Sequence, residues 1–183
     1  MAAERGARDD AYVGDGLGEH DDERTHRSPQ GCLHRDATCA AFADELTRRE
    51  PRGIALVAPP WSGGTHLGRF LLSLAADAGY DTVEIRCTPG LQDVGFGVLA
   101  PLLDGTDPGA DLNGLRAVRD HLQTGDHGRA VLIDDAQWID GLTAAVIAQL
   151  PPSTLLPILV IDADYAALLE PQVHALLRDP SVV

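Results

Sequence analysis

Two short stretches of this 183-residue chain carry residues whose types and spacing suit phosphate chemistry. The first is Ala58-Pro59-Pro60-Trp61-Ser62-Gly63-Gly64-Thr65, a turn between an apolar run and an amphipathic segment. That context is the one a phosphate-binding loop requires, and its working pattern is G-x-x-x-x-G-K-[ST]. Against the pattern, Ala58 takes the place of the first glycine, Gly63 fits, Gly64 stands at the lysine position, and Thr65 supplies the hydroxyl that holds magnesium. The backbone amides of Ser62, Gly63, Gly64, Thr65 and His66 remain able to form a nest at a helix N-terminus, where the dipole favours an anion. The second stretch lies about seventy residues on: four apolar residues, Ala130 to Ile133, end in Asp134 and Asp135. Such a strand end aims one carboxylate at magnesium and the next at an attacking water. Thr65 and Asp134 are therefore the candidate metal-holding pair, and Asp135 the candidate catalytic carboxylate for any hydrolysis.

All fourteen basic residues are arginine, so no lysine elsewhere can replace the missing one. A charge-assisted hydrogen bond is worth about 1.5–3 kcal/mol, and losing such contacts to the β- and γ-phosphates lowers affinity roughly ten- to several-hundred-fold. The loss in rate is larger, because the same charge opposes what develops on the transferred group. Arg69 lies one turn into the helix after the loop, with its side chain expected to face away, and Arg35 or Arg129 would have to enter from elsewhere.

The elements that position these residues follow from the hydrophobic pattern. An Asp36-capped helix carries Ala40, Phe42 or Ala43, and Leu46, and Pro51 ends it. Ile54 to Ala58 reads as a buried strand. Leu67, Phe70, Leu71, Leu74 and Ala78 mark a helix face, closed by Gly79 as a left-handed cap. A strand at Thr82–Cys87, helical patterns at 94–103 and 112–122, and the 130–133 strand follow. A helix over 140–150, a strand over 156–161 and a last helix over 165–177 complete the body. Apolar strands alternating with helices imply parallel pairing with helices on both faces, so the fold class is α/β with three layers.

At this point the chain resembles a family. Ala130-Val131-Leu132-Ile133-Asp134-Asp135-Ala136-Gln137-Trp138-Ile139-Asp140 is similar to the Walker B segment of the AAA-type ATPase module in actinobacterial LuxR-type transcriptional regulators, members of the STAND class of P-loop NTPases. Leu33-His34-Arg35-Asp36 resembles that module's opening motif, Val94-Gly95-Phe96-Gly97-Val98 the stretch before its second helix, and residues 176–183 the approach to its fifth strand. The resemblance implies a P-loop NTPase-like sheet in the order 5-1-4-3-2, with ATP or ADP and Mg2+ at the C-terminal ends of strands one and three. It brings Arg35 into the candidate nucleotide-binding set beside Ser62, Gly63, Gly64, Thr65 and His66. Departures accumulate at that same site: His34 replaces a glycine, Trp61 replaces a small residue, and Asp162-Ala163-Asp164-Tyr165 stands where the family places a polar or arginine sensor. The fifth strand is expected to be truncated, leaving Ile54–Ala58 at a sheet edge, and the family's lid and DNA-binding helix-turn-helix are not found in the sequence.

Composition narrows the partners. Twenty-eight acidic residues against fourteen basic ones give a formal charge of -14, which repels nucleic-acid backbones and anionic lipid heads. Residues 1–30 mix charge, glycine and histidine with few apolar side chains and are expected to be a disordered acidic tail ahead of a core over 31–183. Cys32, Cys39 and Cys87 lack metal-ligand spacing and read as reduced thiols. The charge-free run from Gly141 to Ile161 is broken by Gln149 and three prolines, so a membrane span is not expected, and a cytoplasmic location follows. The expected function is a degenerate ATP- or ADP-binding regulatory module, binding weakly and not hydrolysing. The alternative is a protein–protein interaction module or truncated regulator relic, in which a protein partner or self-association covers the strand edge.

Overall fold

In the computed structural model the described residues are 29–103, 109, 111–123, 128–151, 153–169, 171 and 181–182. The expected acidic tail, up to residue 28, lies outside them. Helix α1 (Pro29–Leu46) begins ahead of the Asp36 cap the sequence suggested; proline suits the first helical position because its missing N–H needs no partner there. Strand β1 (Ile54–Ala58) coincides with the apolar run. It is followed by α2 (Gly64–Asp77), β2 (Asp81–Arg86), α3 (Leu112–Leu122), β3 (Arg129–Asp134), α4 (Gly141–Gln149) and β4 (Leu155–Asp162).

The strands form one sheet in the order β2-β3-β4-β1-β5, where β5 is Ser181–Val182. Every pairing is parallel. This is the order implied by the family resemblance, and the α/β architecture matches a P-loop NTPase-like fold. The fifth strand is short but present: Ile54 pairs with Ser181 and Ala55 with Val182. The expectation that β1 is a bare edge is thereby corrected over those two residues, whose backbone groups find partners in the sheet.

Two cores sandwich the sheet, and period-two alternation sorts the strand residues between them. Ala130 and Leu132 face one side with Leu156, Ile158, Val160, Phe42 of α1 and Leu71 and Ala75 of α2. Val131 and Ile133 face the other with Ile85, Leu159, Val118 and Leu122 of α3 and Ile147 of α4. Helices therefore cover both faces, which produces the three layers. At Gly68 of α2 a Cβ would stand 2.8 Å from both Leu132 Cδ1 and Val160 Cγ2, so α2 lies close against the sheet.

Local chemistry explains most boundaries. Asp111 caps α3 by accepting from the N–H groups of Asn113 and Gly114. Asp140 caps α4 through Thr143, and its Oδ1 also accepts from Phe96 N at 2.9 Å, which ties the 94–98 stretch to the β3–α4 turn. Gly79 takes a φ of +95, the left-handed cap its position suggested. Three details differ from the sequence pattern. Residues 97–103 form a 3-10 helix, with Pro101 inside it. Phe70 is 48% exposed, and Gly68 rather than Phe70 meets the sheet. After β4 a 3-10 helix runs over Ala163–Leu168 in place of an α-helix start; the remainder of the expected last helix falls almost wholly outside the described residues. Among those described, no helix is long and apolar enough to cross a membrane.

Candidate functional site

The C-terminal ends of parallel strands project loops to one edge of the sheet, where α/β ligand clefts form. Here the β1–α2 loop and the ends of β2, β3 and β4 enclose a cleft of about 540 Å3. Gly63 shapes the loop: with φ +90 and ψ 24 it is the left-handed N-cap of α2, and its carbonyl accepts the first helical bond from Leu67 N. The amide end of α2 then faces the cleft through Gly64, Thr65 and His66. Trp61 also has a positive φ, 63, and its side chain is fully exposed. For a tryptophan this conformation is strained.

The two motif halves meet. Thr65 Oγ1 donates to Asp134 Oδ1 at 2.9 Å. Asp134 is 1% exposed, and its other oxygen, Oδ2, is buried with no hydrogen-bond partner among the described residues. A buried acceptor left without a donor costs about 1–3 kcal/mol, so this atom points to a missing partner. The pair suits Mg2+, which takes oxygen ligands and is commonly held by one or two protein groups, waters and substrate phosphates. No group of three or more His, Cys, Asp or Glu side chains able to hold a metal occurs among the described residues.

Asp135 follows in a left-handed turn, φ 55, a conformation that aspartate tolerates better than most residues. Its Oδ1 accepts from Gln137 Nε2 at 3.4 Å, and its Oδ2 stands 3.5 Å from Arg86 Nε. Gln137 Oε1 in turn accepts from Asp162 N at 3.2 Å, which ties the β3 turn to the end of β4.

The other candidates sort by position. Gly63, Gly64, Thr65 and His66 line the cleft, whereas Ser62 and Arg35 do not. Arg35 instead braces the loop from α1, donating from Nη2 to the Ser62 carbonyl at 3.0 Å. Trp138 packs against the core, with its ring 4.9 Å from that of Tyr165 in an edge-on arrangement, as a structural anchor would.

Two arginines line the cleft, and sequence reasoning discounted one and missed the other. Arg69 reaches it from α2 but commits its Nε and Nη2 to Glu84, at 2.6–3.1 Å; these bonds hold the guanidinium still further toward its charged form. Arg86, the last residue of β2, registers opposite Asp134 of β3. Its only signal in the sequence is a basic residue near the end of a strand of mixed polar and apolar residues. Asp162 adds a third carboxylate beside Asp134 and Asp135, so three acids face two arginines.

Cys87 lies just beyond Arg86 and is 1% exposed. Burial first, then the nearby Asp140, Asp135 and Asp134, pushes its thiol up to about 12. It therefore stays protonated and inert. Cys39 and Cys87 are both free thiols.

No protein-family model matches the chain, and no curated protein matches it. Among solved structures it is similar to Cdc6p from Pyrobaculum aerophilum, with a TM-score of 0.55 at 18% identity over 86% of this chain. It is also similar to the ORC2 protein of Aeropyrum pernix, described in ADPNP–ADP complexes, with a TM-score of 0.51 at 16% identity over 82% of this chain. The chain spans 46% of the length of each. At these identities the likeness establishes the fold.

Proposed function

We propose that this chain is a regulatory nucleotide-binding module that holds ATP or ADP with Mg2+ and does not turn it over. The observation that carries the reading is the buried Asp134, bonded to Thr65 by one oxygen and left without a partner at the other. Fold likeness to a protein described in ADPNP–ADP complexes supports it. The amides at the start of α2 receive phosphate oxygens, Thr65 and Asp134 hold Mg2+, and Asp135 orients water in any residual hydrolysis. Mg2+ would supply charge neutralisation of the phosphates. With Gly64 at the lysine position and Asp162 at the end of β4, the loop itself brings no cation to a transferred phosphoryl group, and the two arginines of the cleft, Arg69 and Arg86, stand in ion pairs with Glu84 and Asp135.

The regulatory role rests on the Walker B segment around Trp138, which resembles that of LuxR-type regulators of the STAND class. The interaction-module alternative drew on an unpaired β1, and the pairing of Ile54 and Ala55 with β5 weakens that motive.

The test is a fluorescent N-methylanthraniloyl-ADP titration with Mg2+, run beside a phosphate-release assay with ATP. Saturable binding, displaced by unlabelled ADP and without phosphate release, is the expected result. Release at a rate typical of ATPases overturns the non-hydrolysing part, and no saturable binding at millimolar nucleotide overturns the whole reading.

A further inference from the structure

The cleft has lost the lysine of its loop, yet it contains a cation that no motif assigns. We propose that Arg86 supplies the phosphate-binding charge of this site from the opposite wall, in place of the lysine missing at position 64; the inference rests on the nucleotide-binding reading above. Three observations carry it. Arg86 lines the same cleft as Gly64 and Thr65. Its β2 position is in register with Asp134, so it stands beside that member of the candidate metal pair. Its partner, Asp135, is 3.5 Å away, a loose ion pair on a side chain 68% exposed.

The contrast with Arg69 makes the choice. Arg69 forms three hydrogen bonds to the Glu84 carboxylate, and a phosphate would have to break that fork to recruit it. Arg86 makes no such commitment. An exposed ion pair of its kind is weak, whereas a guanidinium on a phosphate forms bidentate charge-assisted bonds. Exchange of Asp135 for a phosphate oxygen is therefore downhill, and it places the guanidinium where the ligand's negative charge arrives.

The experiment is calorimetric titration with Mg-ATP of the full chain and of three variants: Arg86→Ala, Arg86→Lys and Arg116→Ala. Arg116 is an exposed α3 residue outside the cleft, and its variant controls for the loss of one surface charge. Arg86→Ala is expected to lose roughly ten- to hundred-fold in affinity, Arg86→Lys to recover part of it, and Arg116→Ala to bind as the unaltered chain does. Thermal melts without nucleotide should agree among all four proteins. Binding by Arg86→Ala equal to that of the unaltered chain overturns the proposal while leaving the nucleotide reading intact. Equal losses in Arg86→Ala and Arg116→Ala also overturn it, since the effect is then one of general field. Absence of binding by the unaltered chain overturns both.

Discussion

Thr65 Oγ1 and Asp134 Oδ1 lie 2.9 Å apart although 69 residues separate them in sequence. The bond joins the first turn of α2 to the last residue of β3, and it leaves Asp134 Oδ2 buried without a partner. A carboxylate so placed costs stability in the isolated chain and is worth that cost where a cation or ligand arrives.

Replacing Asp134 by asparagine therefore separates stability from binding. The asparagine amide keeps an acceptor for Thr65 and removes a buried carboxylate, so Asp134→Asn is expected to raise the unfolding temperature measured without Mg2+ by a few degrees, corresponding to about 1 kcal/mol. The same variant should lose the Mg2+-dependent component of nucleotide affinity. A lower melting temperature with binding unchanged would show Asp134 to be a structural strand-end acid.

Gly63 is expected to tolerate no side chain well. Its φ of +90 lies in the left-handed region, and a Cβ there would stand 2.5 Å from Arg35 Nη2. The arginine end can move, but the backbone strain stays. Gly63→Ala should cost about 1–2 kcal/mol in chemical denaturation, with loss of the Arg35 contact to Ser62. A change below about 0.3 kcal/mol would show that the loop relaxes freely.

Trp61 points the other way. It is fully exposed and carries a φ of 63, so its ring contributes no burial to offset the strain. Trp61→Gly relieves the strain but increases the freedom of the unfolded chain, and the two effects nearly cancel. A net gain of up to about 1 kcal/mol is expected, read as a raised midpoint in urea. A loss above about 1 kcal/mol would mean that the ring packs against something in solution.

Cys87 gives a pH dependence with a definite sign. Its thiol is raised from an ordinary value of 9.0 to about 12 in the folded chain. Below pH 9 both states keep the proton and the group leaves stability unchanged with pH; between about 9 and 12 the unfolded chain releases it and the folded one does not. Stability contributed by this group therefore falls as pH rises through that window, by at most about 1.4 kcal/mol per pH unit. Urea unfolding from pH 8 to 10.5 should show a steeper decline in the unaltered chain than in Cys87→Ala. Parallel declines would contradict the buried, protonated thiol.

Much of this arrangement was legible in the sequence because it is local. The apolar run Ile54–Ala58 is strand β1 residue for residue, and Gly79, read as a left-handed cap, has a φ of +95. The loop and the paired aspartates could be matched because known chemistry fixes their spacing. Arg86 escaped because its place depends on β2 registering beside β3, a pairing that no local pattern encodes. The resemblance implies a nucleotide-binding Arg35, whereas its guanidinium donates to the Ser62 carbonyl, a direction that only the packing of α1 determines. Phe70 fits a helical stripe but stands 48% exposed, since the stripe that meets the sheet runs through Gly68, Leu71 and Ala75.

The most direct measurement of the central claim is isothermal titration with ATP and ADP, each with Mg2+ and with chelator, of the unaltered chain beside Gly64→Lys. A Cβ at Gly64 would stand 3.2 Å from Val160 Cγ1 and 3.4 Å from Ala58 Cβ, so the lysine enters with a small adjustment. Mg2+-dependent binding by both proteins, tighter in Gly64→Lys by roughly ten-fold or more, is the predicted result. No heat of binding from either protein at millimolar nucleotide would contradict the account.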